Sequence, residues 1–546
     1  MEKVGYVLGE ANTREFIFVT DEEKSPSRLE YIELKDVKEN HGDGKKEVNV
    51  LARVSELSSL SDVLKDDLSL DGLESIKERY NPSPKIYGKA EVIGYLDKDA
   101  EKETVVKPRS APLPGHEVYI ASDELLKEFF TKNIEHGLDI GSLISRQSVN
   151  VKLDPNGLRR HLAIIAQTGA GKSYLSGLVI EQLIQLGGTV LIFDPNSDYV
   201  KMRYKGGGDT RTQEKTEFAD RIEIYRPPGV AGRRFDDEEI GNSKDFTVRF
   251  SQLRDEDIFN FAGVPQNANR IRQAIRQARE TLSGNGEPEE NEGFENEYKP
   301  EELLDTLEDI EENGDGEEIR GGARKAKNYI QSLTGLDIWG YKDLPIDEIK
   351  NRMQASVVDL AGMPSYISEF VVDKTLNELW NLASTGKLDR PIFVVLEEAH
   401  NFVPAQGSTY SSSTINKLAS EGRKFGIFLT VLTQRPYKID QETLSQCNSQ
   451  IIMKLTNPID QQAVQKASES MTEELLEDLP GLNVGEAIVT GELTRSSVMV
   501  NIGGRESAEG GSDIDVVAKL NEARQQESDS EGSFNLPEDS STEGDY

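Results

Sequence analysis

The chain has 546 residues, 36% of them hydrophobic, and a formal net charge of −35. That length predicts several domains rather than one core, and the acidity excludes a broadly basic surface that would grip phosphates everywhere. Cys447 is the only cysteine, which excludes an internal disulfide and fits a reducing, cytoplasmic setting.

Other broad classes drop out as well. No apolar run reaches the length of a membrane span. Met1-Glu2-Lys3-Val4-Gly5 opens on a strand-like pattern rather than a basic and apolar leader. The five histidines are scattered and show no metal-ligand spacing. Much of the acid falls in segments that read as loops and tails, so it describes a solvated surface. Acidity overall still leaves room for positive charge gathered along a single groove or channel.

Residues 1–147 read as mostly β. Short alternating runs recur at 4–8, 16–19, 29–34, 48–54, 86–96 and 118–120, separated by polar and Gly/Pro/Asp segments. They predict a small antiparallel barrel. Residues 62–80 interrupt it with charged, helix-favouring sequence.

Residues 148–250 alternate strand and helix. A short apolar run, 161–165, leads into Ala166-Gln167-Thr168-Gly169-Ala170-Gly171-Lys172-Ser173, and 174–186 follow with apolar residues at helical spacing. A glycine-rich turn between strand and helix aims backbone N–H groups at phosphate oxygens. Gln167 to Tyr174 are therefore the expected nucleotide contacts, with Lys172 on the β- and γ-phosphates and the Ser173 hydroxyl on Mg²⁺. The bland alternative is a chance Gly/Ser turn; strand, loop and helix in order favour ATP. Residues 188–193 form a second buried strand ending at Asp194-Pro195-Asn196-Ser197-Asp198-Tyr199. Continuous apolar strands between helices indicate a parallel sheet covered on both faces.

Residues 251–344 turn helical and charged, a helical insertion in the α/β core. The pattern predicts one helix over 258–282 with Phe259, Ile271 and Ile275 inward. Residues 287–318 are dominated by Glu, Asp, Asn and Gly and predict a partly disordered segment with a weak helix at 301–310.

Residues 345–503 resume the core, with strand signals at 355–360, 392–396, 427–432 and 451–454. The run Pro391-Ile392-Phe393-Val394-Val395-Leu396-Glu397-Glu398-Ala399-His400 delivers two acids at a strand's C-terminal end, where open α/β sheets bind ligands. The first acid, Glu397, is expected to hold Mg²⁺ and the second, Glu398, to polarise the attacking water. The strand 427–432 ends in Thr433-Gln434-Arg435-Pro436, and Gln434 can sense the γ-phosphate or hold the water; a simple turn before Pro436 is the alternative. Arg423, between a helix and a strand, is either a helix-end charge or an arginine finger, and the pattern leaves both open. Residues 504–546 form an acidic tail, with one short helix at 514–523 and no basic residue beyond Arg524.

As a set, these motifs resemble the HerA family of DNA translocases. The resemblance rests on Arg159 to Ser173, Asp194-Pro195, Leu396-Glu397-Glu398-Ala399-His400, Glu421-Gly422-Arg423-Lys424-Phe425-Gly426 and Thr433-Gln434-Arg435-Pro436. It covers residues 1–503, although each motif singly is shared with FtsK-like and conjugative coupling ATPases. It implies a RecA-like P-loop core with a small N-terminal β-barrel. It further implies a homohexameric ring around double-stranded DNA that hydrolyses ATP with Mg²⁺ at subunit interfaces and works with a NurA-like nuclease in double-strand-break resection. By position Arg423 matches the family's finger acting in trans, and Arg160 a second interfacial arginine. The departures are Ala166 for the first glycine of the loop, Glu397 where Asp is frequent, and the acidic insertion. The loop 404–413 has no basic residue, so it cannot grip phosphates by charge. The alternative the resemblance carries is a ring that assembles a different effector enzyme in antiviral defence.

Overall fold

The structure is a computed structural model. It describes residues 2–511 apart from 42–43, 62–68, 72, 75, 77–83, 99–102, 132–134, 208–213, 231–232, 284–296 and 351; beyond 511 it describes 516–517, 519–521 and 523–524.

The N-terminal strands are β1 (Lys3–Ala11), β2 (Glu15–Thr20), β3 (Tyr31–His41), β4 (Gly44–Leu60), β5 (Lys85–Asp97), β6 (Thr104–Val106) and β7 (Glu117–Ile120). They pair in the order β2-β1-β7-β3-β4-β5-β6, and β2 returns to pair antiparallel with β5. That last pairing closes a barrel and removes its open edges. Alternation builds the interior: Val7, Phe18, Leu34, Val50, Val54 and Val118 are buried. The Phe18 ring lies so close over Gly88 that a Cβ there would stand 2.2 Å from it, so β5 needs glycine at that point. Of the expected interruption at 62–80, most lies outside the described residues.

Helix α1 (Asp123–Phe130) follows, and then the core sheet begins: β8 (Leu138–Leu143), β9 (Arg146–Leu153), β10 (Leu162–Ile165), helix α2 (Lys172–Gln185), β11 (Thr189–Asp194), β12 (Ile222–Arg226), β13 (Lys244–Asp245), β14 (Ala355–Asp359), β15 (Ile392–Leu396), β16 (Ile427–Thr433), β17 (Ser449–Met453), β18 (Glu486–Thr490) and β19 (Val498–Ile502). The 12-stranded order is β13-β12-β14-β11-β15-β16-β10-β17-β18-β19-β8-β9. Pairings from β13 to β17 are parallel; β18, β19, β8 and β9 add on antiparallel. Every residue of β10, β11, β14 and β17 is buried, as strands covered on both faces require.

Two expected boundaries move. The barrel is complete at β7, and the hairpin β8–β9 belongs to the core through β19, so a division after residue 147 cuts a hairpin. Its alternation is the same as that of the barrel strands, which is why pattern alone assigns it there. At the other end, residues 504–511 are not tail. They fold back on α2, with the Arg505 side chain fully buried.

The insertion holds α3 (Asp255–Phe261), α4 (Asn269–Ser283), α5 (Pro300–Asn313) and α6 (Glu317–Thr334). The single helix expected over 258–282 is two, because Gly263 adopts φ +71° and Pro265 brings no N–H. Phe259, Ile271 and Ile275 are buried as expected. The weak helix expected at 301–310 is the longer α5, which buries Leu303, Leu307 and Ile310. Residues 287–296 and the tail beyond Arg524 lie outside the described residues; of the short helix expected at 514–523, residues 516–517, 519–521 and 523 are described and are helical.

Candidate nucleotide site

β10 lies in the interior of the sheet between β16 and β17. The phosphate-loop chain leaves its C-terminal end still held by both neighbours, since Ala166 N donates to Thr433 O and Gln167 N to Lys454 O. Gly169 and Gly171 then take φ +77° and +104°, a conformation open to glycine and strained for other residues. A Cβ on Gly169 would meet nothing within 4 Å, so the loop faces open space. α2 starts at Lys172 and aims its first N–H groups at the same space.

Lys172 is buried and bridges to both acids, Glu397 and, at 2.6 Å, Glu398 Oε1. Successive strand residues point to opposite faces, so two adjacent acids cannot both face Lys172 while β15 continues. The chain resolves this at Glu398, which takes φ +46° and ψ 51°. A non-glycine residue in that region stores ~1–3 kcal/mol of strain, and such residues concentrate at functional sites. Glu398 Oε2 is buried without a hydrogen bond, and His400 Nδ1 lies 3.3 Å from it.

Burial sets the electrostatics. It raises the pKa of Glu397, against the pull of Lys172. It also opposes the charge on Lys172, but the two carboxylates outweigh it and hold that pKa above the usual lysine value. His400 is pushed down by burial, against the pull of Glu398. Asp194 is driven well up by burial and by the charges of Asp359 and Asp198, although the N–H groups of Asp198 and Tyr199 bond to it.

The other expected residues divide into two groups. Thr168 Oγ1 donates to Gln434 Oε1, which ties the tip of β16 to the phosphate loop. Gln167 accepts from Thr456 at 2.9 Å, Ala170 O accepts from Gly485 N, and the Tyr174 hydroxyl accepts from Arg505 N at 2.7 Å. The Ser173 hydroxyl donates to Asp198 at 3.0 Å. Arg423 and Arg160 are elsewhere. Both precede their strands, whereas Lys172, Glu397, Glu398 and Gln434 follow theirs. β16 is 7 residues long, so Arg423 stands about 20 Å from the site of its own chain. Arg423 is exposed, and Arg160 Nε lies 3.6 Å from Glu492.

The sequence reading missed Asp198, Tyr199, Ser176 and Arg505. The Tyr199 hydroxyl donates to Glu397 Oε2 at 2.7 Å and meets Ser176 Oγ at 2.7 Å. Arg505 donates to Ser173 O at 2.8 Å. The signal for the first two was present, because Asp194 to Tyr199 is a polar cluster at the end of a buried strand beside β15.

The central domain of the helicase HerA matches residues 138–379. A probable helicase of Methanocaldococcus jannaschii is 31% identical over 532 residues, covering 94% of this chain and 93% of its own. The chain belongs to the HerA helicase family. The DNA double-strand break repair helicase HerA of Pyrococcus furiosus is 27% identical over 92% of each chain, and that of Saccharolobus solfataricus is 28% identical over 97% of this chain and 98% of its own. Among solved structures, VirB4 of Thermoanaerobacter pseudethanolicus aligns at a TM-score of 0.47 and 15% identity over 68% of this chain and 98% of its own. As a HerA-family member with this phosphate loop and acidic strand end, the chain is an ATP-hydrolysing enzyme. No helix among the described residues is long and apolar enough to cross a membrane.

Proposed function

We propose that the chain is an ATP-driven translocase on double-stranded DNA, assembled as a homohexameric ring and acting with a NurA-type nuclease in the resection of double-strand breaks. One observation carries the ring: the phosphate loop and the acids lie at one end of the parallel strands, and Arg423 and Arg160 lie at the other. An exposed arginine about 20 Å from its own site can reach a phosphate only in the site of a neighbouring copy. DNA comes to this reading through the HerA relatives, which are DNA double-strand break repair helicases, and the nuclease through the family resemblance of the sequence motifs.

ATP with Mg²⁺ fits the residues present. The loop faces open space, the Ser173 hydroxyl has a single acidic neighbour to give up, and Glu398 Oε2 has a buried lone pair free for a water. Ser173 and Glu397 would hold the metal, in keeping with the few protein ligands Mg²⁺ usually takes. Bound Mg²⁺ neutralises charge on the phosphates.

The protein's own groups do the rest. Lys172 exchanges its carboxylates for phosphate oxygens. Glu398, released from Lys172, accepts the proton of the attacking water. Gln434, held by Thr168, orients that water. Arg423 of a neighbouring subunit meets the charge that builds on the transferring phosphate.

The test is an ATPase assay with and without duplex DNA at several salt concentrations, with oligomer size measured in parallel. Hexamers whose rate rises with duplex DNA support the reading; monomers with a DNA-independent rate sink it.

A further inference from the structure

We propose that Tyr199 is a positioning residue for ATP hydrolysis, its hydroxyl holding Glu397 in the orientation in which that carboxylate receives the metal. The proposal rests on the reading of Glu397 given above. It starts from the two oxygens of that side chain. Oε1 accepts from Lys172 and Oε2 accepts from the Tyr199 hydroxyl at 2.7 Å. Among the described residues no third side chain donates to it. When phosphates draw Lys172 away, Tyr199 is the donor that stays.

The proton inventory gives the direction of the bond. A phenol has one proton and an ionised carboxylate has none to give. Tyr199 therefore donates to Glu397, and the single Ser176 Oγ proton goes to the Tyr199 oxygen at 2.7 Å in preference to Ser173 O at 3.1 Å. Ser176 lies one turn into α2 beyond Ser173, so the chain of donors runs from the phosphate-loop helix through Tyr199 to the acid. Tyr199 and Glu397 are both fully buried, which keeps water from replacing either bond.

Glutamate makes such a brace necessary. It has one more rotatable bond than an aspartate would have, and an unbraced buried carboxylate would sample several rotamers. The brace is itself fixed. Asp194 accepts from Tyr199 N at 2.9 Å and from Asp198 N at 3.0 Å. β11 pairs with β15 in register, Phe193 beside Leu396, so the segment after β11 folds directly over the end that carries Glu397. Partners that orient a metal ligand typically cost ~10–100-fold in metal affinity or activity when lost.

The experiment is Tyr199→Phe, which keeps the ring and removes the hydroxyl. ATPase rates are measured against ATP and against Mg²⁺, and Mg²⁺ binding is read without turnover from the thermal-unfolding shift on titrating Mg²⁺ into protein saturated with a non-hydrolysable ATP analogue. The expected result is a kcat about tenfold lower, a Mg²⁺ half-saturation raised severalfold and a KM for ATP that stays near wild type. A ring that only fills space predicts no shift in Mg²⁺ dependence. The same change is then made in Glu397→Asp, whose shorter side chain withdraws from Tyr199; there Tyr199→Phe should cost nothing further. Unchanged kcat and Mg²⁺ dependence in the single variant overturns the proposal, as does an equal loss in both backgrounds. Should Tyr199→Phe fail to fold, Ser176→Ala removes the donor behind an intact ring and must raise the Mg²⁺ half-saturation in the same direction; no rise overturns the proposal. Glu397→Gln separates the two layers. If it hydrolyses ATP normally, the reading of Glu397 fails and the brace falls with it. If it is inactive while Tyr199→Phe is normal, only the brace fails.

Discussion

Lys172 Nζ stands 2.6 Å from Glu398 Oε1, so the cation expected on the phosphates and the base expected on the water hold each other. With Glu397 on the same ammonium, the pairing satisfies three buried charges at once. A nucleotide must break it to bind, and the break is what frees Glu398 to take a proton. Glu398→Gln weakens the hold on Lys172 without removing a phosphate contact. It should bind ATP at least as tightly as wild type and hydrolyse it ~10²–10⁴-fold more slowly. Lys172→Ala should abolish hydrolysis and also destabilise the fold by about 3 kcal/mol, since it leaves Glu397 buried without its cation. Nucleotide titration, ATPase rates and denaturant unfolding measure the three effects. A Glu398→Gln protein with a near-wild-type rate would remove Glu398 from the base's role.

Arg505 divides the C-terminal region into a part that matters and a part that does not. Its guanidinium is fully buried, bonded to Ser173 O, Ala508 O and Ser507, with Glu181 accepting from the N–H groups of Glu506 and Ser507. Arg505→Ala should cost about 3 kcal/mol, because buried acceptors and Glu181 lose their partner. Deleting everything after Arg524 removes no apolar periodicity and should leave oligomer size and ATPase rate unchanged. Unfolding midpoints and gel filtration of the two proteins check this. Equal damage from both would refute the division.

The residues legible in the sequence share one property. Glu397, Glu398 and Gln434 follow a buried strand by one or two residues, and Lys172 closes the glycine-rich loop that follows another, so strand periodicity announces them. The partners that finish the site do not. Tyr199 and Glu397 are 198 positions apart, and Arg505 and Ser173 are 332; no local pattern joins them. The barrel was legible because its strands alternate, but β8 and β9 alternate too, and only their pairing with β19 assigns them to the core. The helix predicted over 258–282 ignored Pro265, whose ring and missing N–H outweigh apolar spacing.

His161 links stability to pH. It starts the approach to the phosphate loop at φ +60°, it is buried, and its Nδ1 accepts from Leu429 N at 2.9 Å. The proton of the neutral ring therefore sits on Nε2. Burial, with the charge of Arg423 adding to it, lowers the pKa from 6.5 to about 4. Above pH 6.5 the folded and unfolded states both hold the ring neutral, and His161 contributes no slope. As pH falls from 6.5 toward 4 the unfolded chain gains a proton that the folded chain refuses, and stability drops by up to about 3 kcal/mol. His161→Leu lacks that titration. Its unfolding free energy should fall less between pH 7 and pH 4.5 than that of wild type, and carboxylates common to both cancel in the difference. Parallel pH curves would mean that the folded ring takes up its proton as readily as the unfolded one.

Arg423 decides whether hydrolysis needs a ring. It is exposed and sits at the N-terminal end of β16, while Gln434 at the other end of that strand touches the phosphate loop. No rotamer spans the strand, so its own site gains nothing from it. Arg423→Ala should bind ATP almost normally and hydrolyse it about 10³-fold more slowly if it is a finger in trans. Mixing sharpens the test. Arg423→Ala subunits keep Lys172, and Lys172→Ala subunits keep Arg423. Where subunit exchange is demonstrated by differently tagged chains, mixed rings contain interfaces that pair an intact loop with an intact finger, and activity should return. Recovery scaling with the fraction of such interfaces means that sites fire independently. No recovery despite exchange means that every site must be intact at once, or that the arginine does not act across the interface. A fully active Arg423→Ala protein would reduce the residue to a charge at the end of a helix.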